Sequence, residues 1–322
     1  MRARPPATLS LDLDDEWTYL KVQGDPRWES RPSYLATFIP IVRAALRELD
    51  LRITVFVVGA DAARPEHAAL LRGLAEDGHE IGNHSHEHES WLHEYSDAQL
   101  TAELDRSEAA IMAATGCLPV GFRGPGYSWS PALLEMLAAR GYRYDASTLP
   151  TFIGPLARWY YFRAAKLSAE ARNTRRLLFG RFADGFRPLA PHRLQLQSGA
   201  GLLEIPVTTM PVTRAPFHPS YLIYLARRSP ALARGYYGSA LALCRATGVP
   251  PSLLLHPLDF LGGDDVEGLR FFPGMDLPGA QKRAFVRETL VRLRDGFDVQ
   301  PLGAFASRLD AASLKTRVIG AR

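Results

Sequence analysis

The chain opens with a seven-residue alternation, Ala7-Thr8-Leu9-Ser10-Leu11-Asp12-Leu13, which sets three leucines on one face of a strand and Ser10, Asp12 and Asp14 on the other. A helical period over 33–49 follows. Residues 52–58, Arg-Ile-Thr-Val-Phe-Val-Val, then read as a buried strand stopped by Gly59. The pattern repeats: a helix over 64–77 ending at Gly78, a short strand at 79–82, a helix over 97–115 ending at Gly116, a strand at 119–123, a helix near 130–140 and a strand at 142–144. Strand patterns return at 202–206 and 252–256, and helical ones at 219–247 and 278–296. Repeated strand–helix units without linker composition predict a single α/β domain over 1–322, with parallel strands rolled into a barrel.

One segment breaks this rhythm. Residues 152–200 carry Trp159-Tyr160-Tyr161-Phe162 and then Arg172, Arg175, Arg176, Arg181, Arg187 and Arg193. A strand–helix connection needs only a few residues, so a stretch of this length predicts an insertion, a helical lid. Its ordinary reading is a surface helix pair; the sharper one is a wall for an anionic or amphiphilic substrate, with arginine for phosphate and aromatic rings for sugar or lipid.

Composition narrows the picture. With 322 residues, 47% hydrophobic and 22% charged, the chain is globular. A net charge of +4 without a basic stripe or recognisable module argues against nucleic-acid binding. Cys117 and Cys244 are too few for a disulfide framework or a cysteine-rich zinc site. Residues 1–6 lack an apolar signal core and no run approaches membrane-spanning length, so the expected location is cytoplasmic, with peripheral membrane contact through 152–200 as an extension.

The candidate chemistry lies where apolar runs end. Asp12 and Asp14 share a strand face, where adjacent carboxylates repel unless a cation sits between them. Asn83-His84-Ser85-His86-Glu87-His88 follows the 79–82 strand, and His84 and His88 converge on one ion if the segment is a helical turn, with His86 pointing elsewhere. Arg123 ends a strand in Phe-Arg-Gly-Pro-Gly-Tyr, and His256 ends Leu253-Leu254-Leu255. Singly, each has an ordinary reading as a loop or surface residue. Their shared position after strand runs points to the face where barrel sites gather.

In order, Leu9-Ser10-Leu11-Asp12-Leu13-Asp14-Asp15, His84-Ser85-His86-Glu87-His88, Arg123-Gly124-Pro125-Gly126-Tyr127, Tyr144-Asp145-Ala146-Ser147 and Leu254-Leu255-His256-Pro257 resemble the five motifs of the polysaccharide deacetylase family, the NodB homology domain. The resemblance implies a distorted (β/α) barrel and a metal-dependent de-N-acylase. The family pairs two adjacent aspartates, whereas Asp12-Leu13-Asp14-Asp15 permits either Asp12 with Asp14 or Asp14 with Asp15. The Asp-x-Asp spacing is similar to the intracellular-type branch, which favours Asp12 as base and Asp14 as ligand, with Asp15 in reserve.

Further roles follow from the resemblance alone. Asp14, His84 and His88 would hold one divalent ion, zinc by default, with cobalt, nickel, manganese or iron as alternatives. Arg123 would orient Asp12, the Tyr127 N–H would bind the oxyanion, His256 would protonate the leaving amine, and Asp145 would pair with His256. Tyr127 and Trp159 would contact substrate. The expected substrate is an N-acylated aminosugar carried on a nucleotide, lipid or metabolite. The alternatives are an amidase acting on a non-sugar amide and a non-catalytic carbohydrate-binding relative. Oligomeric state is left open.

Overall fold

The N-terminal alternation becomes the hub of a ten-stranded sheet. The computed structural model describes residues 4–164, 167–178, 180–310 and 312–320, and the side chains of Tyr160, Tyr161, Ala164 and Ala171 also lie outside that description. The strands are β1 Pro6–Leu13, β2 Thr54–Val57, β3 Glu80–Asn83, β4 Gly121–Phe122, β5 Tyr144–Asp145, β6 His192–Gln195, β7 Gly201–Glu204, β8 Ser252–Leu255, β9 Asp298–Gln300 and β10 Thr316–Val318. Their order is β10-β6-β7-β5-β4-β3-β2-β1-β8, with β9 added against β1. All pairings are parallel except β6 with β7.

The sheet curls until the chain beyond β7 meets β8. There the Thr208 amide donates to the Ser252 carbonyl at 2.9 Å, and the Ser252 amide donates to Thr208 Oγ1 at 2.8 Å. Thr208 Oγ1 also donates to the Pro250 carbonyl at 3.2 Å, so the barrel closes through the bonds of Thr208 and not through a full ladder.

The period-two pattern explains both faces. Leu9, Leu11 and Leu13, with Val55 and Val57 of β2 and Leu253 and Leu255 of β8, pack outward with Leu35, Phe38, Ile39, Val42 and Leu46 of helix Leu35–Glu48 and with Val286, Leu290 and Leu293 of helix Gly279–Gly296. Full burial of each such side chain contributes about 1.5–3 kcal/mol. A separate inner cluster joins Phe56, Tyr144, Ala146 and Ile205 to Leu302 and Phe305 of helix Leu302–Arg308. That helix sits at the strands' N-terminal end, its Leu302 and Gly303 amides donating to Thr54 Oγ1 and Glu80 Oε2, both at 2.8 Å. The open end is therefore the C-terminal one.

Several elements depart from the sequence pattern. The helix expected over 219–247 is two, Pro219–Ala226 and Pro230–Thr247, because Ser229 caps the Leu232 amide and Pro230 cannot continue the first. Segment 152–200 holds helices Gly154–Ala164 and Ala169–Thr174 and a turn at Phe182–Phe186, but it ends in β6. A wholly helical insertion is therefore corrected: its last residues extend the sheet antiparallel to β7. Helix Glu16–Gln23 was not anticipated, and β9 and β10 are too short for a periodic signal.

Glycine at 121 is required by packing. A Cβ there would lie 2.0 Å from Cζ of fully buried Tyr144. Gly121→Ala is expected to destabilise the protein by about 1–3 kcal/mol, measured as a lower urea midpoint at unchanged slope.

Candidate metal and catalytic site

The C-terminal ends of β1, β3, β4 and β8 deliver the chemistry. Parallel register carries Asp12 and Leu13 alongside Phe56 and Val57, and Val57 alongside Asn83. It thus brings Asp14 level with His84, whose amide extends the ladder to the Val57 carbonyl at 2.9 Å. On the other side of β1, Leu11 pairs with Leu255, so Asp12 and His256 occupy the next positions on neighbouring strands.

Arg123 is fully buried and organises this end. Its Nη1 donates to Asp12 Oδ1 at 2.7 Å and Ser10 Oγ at 2.8 Å, its Nε donates to the Ala146 carbonyl at 3.0 Å, and its guanidinium lies 4.4 Å from the Phe56 ring centroid. This holds one oxygen of Asp12; the other lies 3.9 Å from His84 Nε2.

Asp14 Oδ1 lies 3.3 Å from His84 Nε2 and 3.0 Å from His88 Nε2. All three residues are buried, and no conventional donor satisfies Asp14 Oδ1. His84 Nδ1 is engaged with the Arg123 carbonyl at 2.7 Å, which fixes Nδ1–H as donor and leaves the Nε2 lone pair facing the carboxylate. With the ring neutral, lone pair faces lone pair, a contact that a cation between them, or a proton on Nε2, relieves. Ligand atoms around an ion with bonds of about 2.0–2.2 Å stand about 2.8–3.6 Å apart across octahedral and tetrahedral geometries, so the donor set fits a divalent metal. Burial would raise the Asp14 carboxyl, but His88 and His84 outweigh it and the net shift is downward. Burial would likewise lower His84, and Asp12 and Asp14 reverse that to a net rise, whereas burial prevails at His88 and lowers it.

The histidine segment is not the expected helical turn. Residues 84–89 form a loop with positive φ at Ser85 (62°) and His88 (54°), and that geometry turns both imidazoles inward. Glu103, buried on helix Asp97–Thr115, pins the loop by accepting the His86 and Glu87 amides at 2.8 and 2.7 Å. Lys21 ties its far side, bonding the Glu87 carbonyl at 3.0 Å and Glu89 at 2.6 Å. His86 does point away, and burial lowers it to about 4.

Three expectations need correction. Asp15 is no reserve ligand: its Oδ1 accepts the Glu16 and Tyr34 amides at 2.8 and 3.0 Å, capping helix Glu16–Gln23 away from the histidines. Asp145 does not reach His256; it accepts from Ser147 Oγ at 2.6 Å, and Ser147 in turn accepts the Gly124 amide at 2.7 Å, so Asp145 shapes the turn after Arg123. The Tyr127 N–H donates to the Gly124 carbonyl at 3.0 Å and is spent within that turn, while the Tyr127 ring packs with Leu149, Val207 and Leu254. Trp159 is 55% exposed, with the Arg163 guanidinium 5.0 Å from its ring centroid. Tyr160 and Tyr161 of the same aromatic run have side chains outside the described residues.

The partner of His256 is instead Asp259. Its Oδ2 accepts the His256 amide at 2.8 Å, and Ser220 Oγ bridges Asp259 Oδ1 at 2.7 Å and His256 Nδ1 at 3.2 Å. The signal was present in His256-Pro-Leu-Asp259, an acidic residue three positions on that caps a short turn. Ser220, Lys21 and Glu103 carry no such local mark.

A protein-family model for polysaccharide deacetylases matches residues 8–144. Over this segment, less than half of its length, the chain is similar to the polysaccharide deacetylases. The deacetylase match contains Asp12, Asp14, His84, His88 and Arg123, and His256 with Asp259 follows beyond it. A Mycobacterium smegmatis protein assigned to the polysaccharide deacetylases shares the fold over 100% of this chain and 96% of its own, at 20% identity and a TM-score of 0.61. The Bacillus subtilis (strain 168) protein YlxY, an uncharacterized protein, is 28% identical over 107 residues. That alignment takes in 33% of this chain and only 31% of YlxY. A carbohydrate esterase family 4 pseudoenzyme from Bacillus anthracis aligns over 98% of this chain and 70% of its own, at 12% identity and a TM-score of 0.45.

Removing one partner of the Arg123–Asp12 pair strands a buried charge. Arg123→Met is expected to cost about 3–5 kcal/mol in urea unfolding, and adding Asp12→Asn to recover part of that loss. A single-variant cost below about 1 kcal/mol would contradict the geometry.

Proposed function

We propose that the protein is a metal-dependent de-N-acylase acting on an N-acylated aminosugar attached to a nucleotide, lipid or metabolite carrier. The observation that carries this reading is Asp12, held by Arg123, standing beside the convergent Asp14, His84 and His88 donor set. A bound divalent ion would supply Lewis-acid polarisation of the acyl carbonyl and make water more acidic. Zinc is the default for two imidazoles and one carboxylate.

In this scheme Asp12 takes the proton of the attacking water, and Arg123 keeps its carboxylate aimed at that position. Because the Tyr127 N–H is committed to the Gly124 carbonyl, donor capacity toward the oxyanion falls elsewhere. His256 delivers a proton to the departing amine, with Ser220 and Asp259 behind its Nδ1.

The carrier is inferred from 152–187, which has seven arginines and Lys166 against Glu170 and Asp184. Leu156, Trp159, Phe182 and Phe186 there are all more than half exposed. Arginine with exposed rings suits an anionic, amphiphilic carrier better than a neutral polymer. Among the described residues no helix is long and apolar enough to cross a membrane.

Two outcomes are expected. Calorimetry on chelator-stripped protein gives zinc binding at the Asp14 site that His84→Ala removes, while Asp12→Asn keeps the ion and lowers acetate or formate release from N-acyl aminosugars by about 10²–10⁴-fold. Ring opening of a cyclic amide without a released acid would favour the amidase reading, and an inert Asp12→Asn the binding-protein reading. Full-length protein should sediment with anionic vesicles at low salt and be released by salt; no binding at low salt would remove the membrane contact.

A further inference from the structure

A second donor cluster lies behind the first. Asp15, Asp61 and His67 are 0%, 1% and 3% exposed, and one ligand atom from each falls within 4.8 Å of the others. Asp15 Oδ1 is occupied by two backbone amides and Asp61 Oδ1 by Trp17 Nε1 at 2.8 Å. The remaining oxygen of each carboxylate is buried without a hydrogen-bond partner. His67 Nδ1 is engaged by the Asp61 main-chain carbonyl at 3.0 Å, which commits Nδ1–H and leaves Nε2 as the ligand atom. Ser33 Oγ, which accepts the Leu35 amide at 3.1 Å, is hydrogen-bonded to that nitrogen at 3.2 Å, so a cation there would take the place of the hydroxyl proton and gain a hydroxyl oxygen.

Two carboxylates this deeply buried and this close cannot both stay ionised without a large cost, which a cation between them, or a proton on one of them, relieves. The nearby guanidinium groups do not provide the cation directly: Arg31 pairs with Glu87 at 2.8 Å and Arg64 with Glu66 at 2.9 Å. Burial, then the neighbouring Asp15 charge, pushes the Asp61 carboxyl well above the ordinary range, as expected of like charges facing each other.

We propose that Asp15, Asp61 and His67, with Ser33 Oγ, form a second divalent-cation site, structural in role. The donors are closed off by protein, which is the form of a structural site and leaves no position for substrate or water. One imidazole, two carboxylates and a hydroxyl suit zinc or manganese. The ion joins the end of β1 to the helices Gly59–Ala62 and Pro65–Glu76, so it braces the backbone that presents Asp14. The proposal stands apart from the deacylase reading, because its ligands are different residues.

The test counts metal by mass spectrometry after equilibration with zinc, repeated with manganese, and removal of free ion. Wild type should hold two ions per chain, the His84→Ala/His88→Ala variant one, and Asp61→Asn one. Asp61→Asn is chosen because an amide oxygen still accepts from Trp17. Two ions retained in Asp61→Asn, or none in His84→Ala/His88→Ala, would overturn the second site. If Asp61→Asn does not fold, the His84→Ala/His88→Ala protein decides: chelation should lower its melting temperature, and an unchanged melt with no bound ion would reject the proposal. Loss of the first ion alone leaves the count at one, so failure of the deacylase reading and failure of this one are distinguishable.

Discussion

The buried ion pair between Arg123 and Asp12 is the constraint on which the rest of this site depends. A guanidinium without solvent destabilises the fold unless it is paired, and here Asp12 and Ser10 take Nη1 and the Ala146 carbonyl takes Nε while Phe56 covers one face. Those partners come from β1, β2 and the chain after β5, so the pair ties together strands that no local interaction would align. The Arg123 carbonyl also orients His84. One residue thus sets both the carboxylate proposed as base and the imidazole proposed as ligand.

Around this pair the structure uses irregular backbone where regular elements would aim side chains wrongly. A helical turn at 84–88 would have paired His84 and His88 by spacing alone. The loop achieves convergence with two positive-φ residues held by Glu103 and Lys21, whose contacts lie far away in sequence. The same economy appears after β4. There Asp145, Ser147 and the Gly124 amide shape a turn whose glycine is required, since a Cβ at 124 would sit 1.9 Å from the Ser128 carbonyl oxygen.

The proposed chemistry divides between the two sides of β1. Toward β2 and β3 stand the donors that fit a cation; toward β8 stands His256, backed by Ser220 and Asp259. A strand flanked in parallel on both sides brings base, ligands and acid together at one end without long side chains. Segment 152–187 adds arginine and exposed rings to the molecule, and this is where the reading of the carrier rests.

Much of this was legible from residue order. Period two in β1, apolar runs closed by glycine and the capped helix Asp97–Thr115 are local, because burial and hydrogen bonding act at fixed spacing along one element. Asp12, Asp14, His84, Arg123 and His256 could be picked out since each stands at or just after the end of such a run, and His88 by its spacing from His84. Tertiary structure alone decided which atoms meet. Asp145 and Asp259 are both acidic residues near a strand end, and only the packing of Ser220 assigns His256 to Asp259. Asp14 and Asp15 are adjacent, yet the backbone turns one toward the histidines and the other to a helix cap, since successive side chains leaving a strand point in opposite directions.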